Sequence, residues 1–295
     1  MGAALGHGDD ERRSPSRTGL HVTRNVTRRS GGLRAAFFVA APLGCISASA
    51  APTGCASITA AQTYCISSFA AYTGCAMTRT PDHIAVLTGD LVNSTGLGEA
   101  SVARAFDALA ACAMAQAAWQ GDSLRFTRHR GDGWQVALGR PELAFRACLA
   151  FRAALRALGD GYDSYIGLAI GPVTALLGPD LNAETDPVFA ASGHALEAIK
   201  LGKTAPSRLY YHGTDAATGP RQATLYLLDT LSRGWTPVQA EILTQALAPP
   251  PRPSFTALAE TVGKSRQSVT KSLDAAHFPA IELALSALEH HAAPD

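Results

Sequence analysis

The chain has 295 residues, of which 47% are apolar and 17% charged, with a formal net charge of +1. These totals suit one large or two smaller cores and exclude a chain-wide basic field that would draw the molecule to nucleic acid. No apolar run approaches the roughly 18–20 residues that cross a bilayer, so a cytoplasmic protein without a membrane partner is expected.

Residues 1–76 read differently from the rest. Residues 1–34 carry seven arginines against three acids, residues 35–76 carry no charge, and everything beyond sums to −3. From Gly44 the chain runs GCISASAAPT, GCASITAAQT, YCISSFAAYT and GCAMTRT, so that Cys45, Cys55, Cys65 and Cys75 recur every ten residues. A ten-residue period matches no common solenoid unit, and the cysteines lack the close pairs and nearby histidine of a zinc site. The pattern is that of a translated DNA repeat, which makes residues 1–76 a low-complexity, disordered segment upstream of a true start at Met77. The competing reading is a secretory leader, with Arg28-Arg29 ahead of an apolar stretch and Ala48-Ser49-Ala50 resembling a cleavage site. Cys112 and Cys148 fall inside helical patterns, as small buried residues in a reducing compartment do.

Beyond Met77 the elements alternate. HIAVLTGDLVNST, residues 83–95, predicts a strand over 84–88. Residues 99–119 predict a helix, with Val102, Phe106, Leu109, Ala110 and Met114 recurring at three and four. Residues 123–129 and 134–138 predict two strands joined by the turn Arg130-Gly131-Asp132-Gly133. A helix follows from Pro141 to residue 158, with Leu143, Phe145, Leu149, Phe151 and Leu155 on one face. A fourth strand spans 165–170, and Gly171-Pro172 ends it. The order β-α-β-β-α-β is the split unit of ferredoxin-like folds, so the fold class is α+β.

In that unit the third strand lies between the first and second, antiparallel to both. Asp90, after the first strand, then neighbours Asp132, before the third. Paired aspartates offer oxygen ligands suited to Mg²⁺ or Mn²⁺, which keep waters and borrow phosphate oxygens. The loop after Asp90 leads into a helix N-terminus, which favours anions. Asn93, Ser94 and Thr95 in that loop, Gly131 in the hairpin turn and Lys200 are the candidate nucleotide-binding residues. The same residues also suit plain turns: Asp-Gly is the common hairpin dipeptide, and Asp90 is a good cap for the turn that follows it.

IAVLTGDLVNST, HRGDGWQVAL and YIGLAIGPVTALLG resemble the metal-binding strand ends and hairpin of class III nucleotidyl cyclase domains, over residues 82–205. The resemblance implies that Asp90 and Asp132 hold up to two metal ions, which activate a ribose hydroxyl and clamp a nucleoside triphosphate. The chain departs from the cyclase pattern in SGHALEAIKLG, residues 192–202. Glu197 stands where cyclases carry the ribose-orienting Asn, and Leu201 stands where they carry the transition-state Arg. Glu197 and Lys200 are the catalytic candidates, although a lysine cannot reproduce the arginine fork.

Near the C-terminus, after Trp235 and the Pro-rich stretch from Pro249 to Pro253, the chain reads SFTALAETVGKSRQSVTKSLDAA. Ala259, Gly263 and Val269 have helix-turn-helix spacing, and Leu258, Val262 and Leu273 form the apolar face. Ser265 is a good N-cap for the second helix. Arg266 and Gln267 suit guanine and adenine edges, with Ser268 beside them and Lys271 available for phosphate. A helical dimerisation hairpin is the alternative. A cyclase-like domain followed by Trp-x-x-x-Gln (Trp235 to Gln239) and a helix-turn-helix resembles the SatD family of bacterial proteins. The expected layout is therefore a nucleotide- and metal-binding domain over 77–230 and a small all-α DNA-binding domain over 235–295.

The function expected is that of a homodimeric transcription regulator whose first domain senses a nucleotide with Mg²⁺. The alternative is an active nucleotidyl cyclase. No nucleophile elbow, Walker loop or dinucleotide fingerprint is present.

Overall fold

The structure, a computed structural model, describes residues 83–120, 124–129 and 131–292. The expectations for residues 1–76 lie outside the described residues. The architecture is α+β, with a mixed five-stranded sheet and several helices. The strands are β1 (His83–Leu91), β2 (Arg125–Arg128), β3 (Gly133–Leu138), β4 (Ser164–Pro172) and β5 (Leu209–His212), in the order β2-β3-β1-β4-β5. Only the β4–β5 pairing is parallel.

The helices in chain order begin with α1 (Ser94–Leu97), α2 (Glu99–Gln120), α3 (Ala144–Arg156) and α4 (Pro187–Lys200). They continue with α5 (Thr218–Ser232), α6 (Pro237–Ala246), α7 (Phe255–Thr261), α8 (Arg266–Ala275) and α9 (Phe278–Ala292). The third strand does lie between the first and second. Strand β1 runs three residues beyond the predicted 84–88, because Gly89 and Asp90 pair with both β3 and β4 and Leu91 pairs with β4. The short β5, whose four residues carry no strong periodicity, was not expected from the sequence.

The two faces of β1 explain its sequence. Ala85, Leu87 and Leu91 join the larger core with Trp134, Val136 and the helices α2 and α3. Ile84 and Val86 join a smaller cluster with Val188 and Phe189 of α4. A strand buried on both faces reads as a continuous apolar run rather than an alternation, as IAVL does.

The expected layout put a boundary between residues 77–230 and 235–295; the described residues on both sides of it pack together in one compact unit. Helix α3 is the reason. Its Arg146, Arg152 and Arg156 are buried, and each reaches the C-terminal half of the chain. Arg152 Nη1 donates to Asp229 Oδ1 at 2.6 Å and to Ser232 Oγ at 2.7 Å, while its Nε donates to Asp163 at 3.2 Å. Arg146 binds Glu282 at 2.9 and 3.0 Å, and Glu289 as well. Arg156 donates to the Trp235 carbonyl at 2.7 and 3.1 Å.

Trp235, fully buried, donates its Nε1–H to the Ala276 carbonyl at 3.1 Å. Next to it, Thr236 and Gln239 form a capping box at the start of α6, a device worth about 1 kcal/mol. The Trp-x-x-x-Gln motif is thereby accounted for as architecture: the indole anchors the helical region and the glutamine starts its first helix.

Candidate nucleotide and metal corner

Strand pairing builds the site. Asp90 pairs with Gly133 on one side and Tyr165 on the other. Asp132 stands one residue before Gly133, and its carbonyl accepts the Leu91 N–H at 3.2 Å. The two carboxylates, 42 positions apart in the chain, are therefore brought to one end of the sheet. They are near enough for the charge of Asp132 to act on Asp90.

Each residue of Thr88-Gly89-Asp90 has a separate task. Thr88 faces α4: Gln135 Nε2–H donates to its Oγ1 at 2.9 Å, and it lies 2.7 Å from Ser192 Oγ. Because the Ser192 hydroxyl donates to the Phe189 carbonyl at 2.8 Å, Thr88 is the donor to Ser192. Gly89 leaves room on the other face, where a Cβ would sit 2.1 Å from the Trp134 ring. The Trp134 Nε1–H donates to Ser164 Oγ at 3.1 Å, and Ser164 Oγ lies 2.9 Å from the Asp90 carbonyl. The backbone of Asp90 is thus fixed from two sides while its side chain projects toward α4.

Helix α4 comes close because β4 carries Gly167, where a Cβ would lie 2.3 Å from the Ser192 carbonyl oxygen. That approach brings Lys200, the last residue of α4, to Asp90: Nζ donates to Oδ2 at 2.7 Å. Asp132 accepts instead from the Ser94 hydroxyl, a short hydrogen bond. Ser94 is aimed there by Asn93, whose backbone is left-handed at φ 53, a conformation that asparagine tolerates better than most residues. Gly131, at φ 76, makes the matching turn on the hairpin side.

The pair is electrostatically asymmetric. Burial pushes the Asp90 carboxyl up, and the negative charge of Asp132 adds to this; the Lys200 ammonium only partly offsets them, leaving Asp90 above its ordinary value. The Ser94 hydrogen bond dominates at Asp132 and holds it below the usual carboxylate range despite some burial. The hydrogen bond to Asp90 outweighs desolvation at Lys200 and raises its ammonium.

Two adjacent oxygen acids with opposed proton affinities fit a hard divalent cation such as Mg²⁺ or Mn²⁺, which would relieve their repulsion. No three His, Cys, Asp or Glu side chains are grouped to hold a metal among the described residues. Asp90 and Asp132 would therefore supply only part of a shell, with water or phosphate oxygens completing it.

The remaining candidates are less engaged. Asn93 and Thr95 are exposed, as is Glu197, and Leu201 is 63% exposed. Elsewhere, the loop acids Asp180 and Asp186 satisfy their own loops, accepting from Asn182 and Thr174 respectively. Cys112 and Cys148 are pushed up to about 12 by burial, which keeps both thiols protonated.

A second exposed constellation lies on α8. Ser265 caps the helix by accepting from the Ser268 N–H at 3.1 Å. Gly263 turns the chain between α7 and α8 at φ 63. Val269 and Leu273 are buried with Leu258 and Ala259, while Arg266, Gln267, Ser268 and Lys271 are exposed. Arg266, Gln267, Thr270 and Lys271 line one shallow recess. Lys264, just outside it, is held by Glu241 at 2.8 Å.

No family model matches the chain, and no curated protein matches it. No helix among the described residues is long and apolar enough to cross a membrane.

The Lys200–Asp90 contact and the Thr88–Ser192 clamp were missed in the sequence. Only the glycine at 167, opposite a small serine, offered a signal for them.

Proposed function

We propose that the protein is a DNA-binding regulator in which the Asp90–Asp132 corner senses a nucleotide together with Mg²⁺ or Mn²⁺. On this reading the sheet and its helices are a ferredoxin-like, cyclase-type domain. Residues 254–276 form a helix-turn-helix, and the chain resembles the SatD family. The observation that carries the reading is that one compact unit holds both a carboxylate pair at a strand end and an exposed Arg266-Gln267-Ser268 in the first turn of α8.

The residues divide the work simply. Asp90 and Asp132 hold the ion, which when bound neutralises phosphate charge. Ser94 fixes the orientation of Asp132, and Lys200 is within reach of a phosphate. Arg266 and Gln267 contact base edges, and Lys271 contacts the backbone. A dimer would supply two such helices for two half-sites.

The test is a gel shift of the full chain on its own upstream DNA, at stated salt, with and without nucleoside triphosphate and Mg²⁺. Sequence-selective binding that changes with nucleotide supports the reading, and Arg266→Ala costs about 1–3 kcal/mol of it. Equal binding to unrelated DNA at every salt concentration sinks it.

The carboxylate pair itself favours a second reading, cyclisation of a triphosphate. Leu201, where the resemblance would put an arginine, weighs against it, because losing a charge-stabilising donor costs on the order of a hundred- to a thousandfold in rate. A cyclic product that disappears in Asp90→Ala would promote it.

A further inference from the structure

We infer that Lys200 is a built-in competitor for the metal position, so that a divalent ion binds well only when an anion arrives with it. The inference rests on the proposed metal site and adds how that site is regulated. Lys200 Nζ lies 2.7 Å from Asp90 Oδ2, and it also feels the charge of Asp132. An ion bound between the two carboxylates would need the same Asp90 oxygen at about 2.0–2.1 Å for Mg²⁺. An ammonium and a divalent ion cannot share that oxygen without strong repulsion, so the lysine must leave.

Leaving is easy for the side chain and hard for its backbone. The Lys200 side chain is 49% exposed on a flexible stem. Its helix is held by the Thr88–Ser192 hydrogen bond and by the close approach at Gly167. The displaced ammonium therefore stays beside the corner, where it repels a lone ion and attracts an anion. It also sits at the C-terminus of α4, where the helix dipole favours a cation. A phosphate group gives the lysine a new partner and supplies the ion with missing oxygen ligands. Ion and phosphate should thus bind with positive linkage, each strengthening the other by the same factor.

The experiment is a MnCl₂ titration of the full chain, followed by the paramagnetic resonance of free Mn²⁺, with and without methyl phosphate. Wild type, Lys200→Met and Lys200→Arg are compared, with near-ultraviolet dichroism confirming the fold. Lys200→Met is expected to bind Mn²⁺ alone on the order of tenfold more tightly than wild type, whereas Lys200→Arg stays near wild type. Methyl phosphate tightens Mn²⁺ binding in wild type, and Lys200→Met loses most of that gain. Equal or weaker Mn²⁺ binding by Lys200→Met overturns the competition while leaving the metal site standing. Absence of Mn²⁺ binding in every variant overturns both.

Discussion

Two charge clusters in this molecule were built on opposite terms. Around α3, Arg152 is fully buried, and each of its acidic partners, Asp163 and Asp229, is at most 2% exposed. Further donors serve the same acids: Arg208 on Asp163, Arg233 and Ser207 on Asp229. At the end of β1, Asp90 lies near the like-charged Asp132 of the hairpin turn, and one half-exposed lysine pairs with Asp90. The first cluster is closed and ties the sheet to the C-terminal helices. The second leaves its charges imbalanced at an accessible edge, as binding sites do.

The sharpest way to break that contrast is at Arg152. Arg152→Met leaves Asp163 and Asp229 buried with fewer cations, and about 3–5 kcal/mol of stability should be lost in urea unfolding. A loss below 1 kcal/mol would mean that the cluster is not what joins the two halves. Gly167→Ala comes next. Its Cβ meets Ser192 and Leu196 backbone atoms at 2.3 and 2.4 Å, which cannot swing aside, so a cost of about 1–3 kcal/mol is expected. Mn²⁺ binding should also change, because α4 carries Lys200.

Glu282 tests the closed cluster through pH. Burial alone would raise its carboxyl, but hydrogen bonds from Arg146 and Arg252 outweigh it and hold the group below its ordinary value. A folded-state value below the unfolded one gives stability that is present above the unfolded value and lost as pH falls through the folded one. Glu282→Gln should therefore flatten the acid limb of a melting-temperature profile; an unchanged limb would remove Glu282 from the account.

Asp90→Asn should move stability least. Asp90 titrates above its ordinary value, so its contribution is present below the unfolded value and lost as pH rises through the folded one. Removing that ionisation should leave the melting temperature at neutral pH at or above wild type, while Mn²⁺ binding falls at least tenfold. A marked fall in melting temperature would make Asp90 a structural residue instead.

The open cluster was half legible in the sequence. Strand runs around IAVL and WQVAL, the Asp-Gly turn between β2 and β3, and the forced position of β3 between β1 and β2 were enough to bring Asp90 beside Asp132. The lysine contact was not legible, because it spans 110 positions and depends on backbone packing between Gly167 and Ser192. The closed cluster was hidden for a different reason. The acidic partners of Arg146 and Arg152 lie from 11 to 143 positions away, just before β4 and on the C-terminal helices, beyond the reach of any local pattern.

On the proposed function, Asp90 and Asp132 together grip a hydrated divalent ion with its nucleotide. Calorimetry of the full chain against a panel of nucleoside triphosphates with Mg²⁺, on wild type and Asp132→Asn, tests it most directly. At least one triphosphate should bind wild type, and that heat should vanish, or weaken at least tenfold, in Asp132→Asn. Binding of equal strength to both proteins, or no binding to wild type, would contradict it.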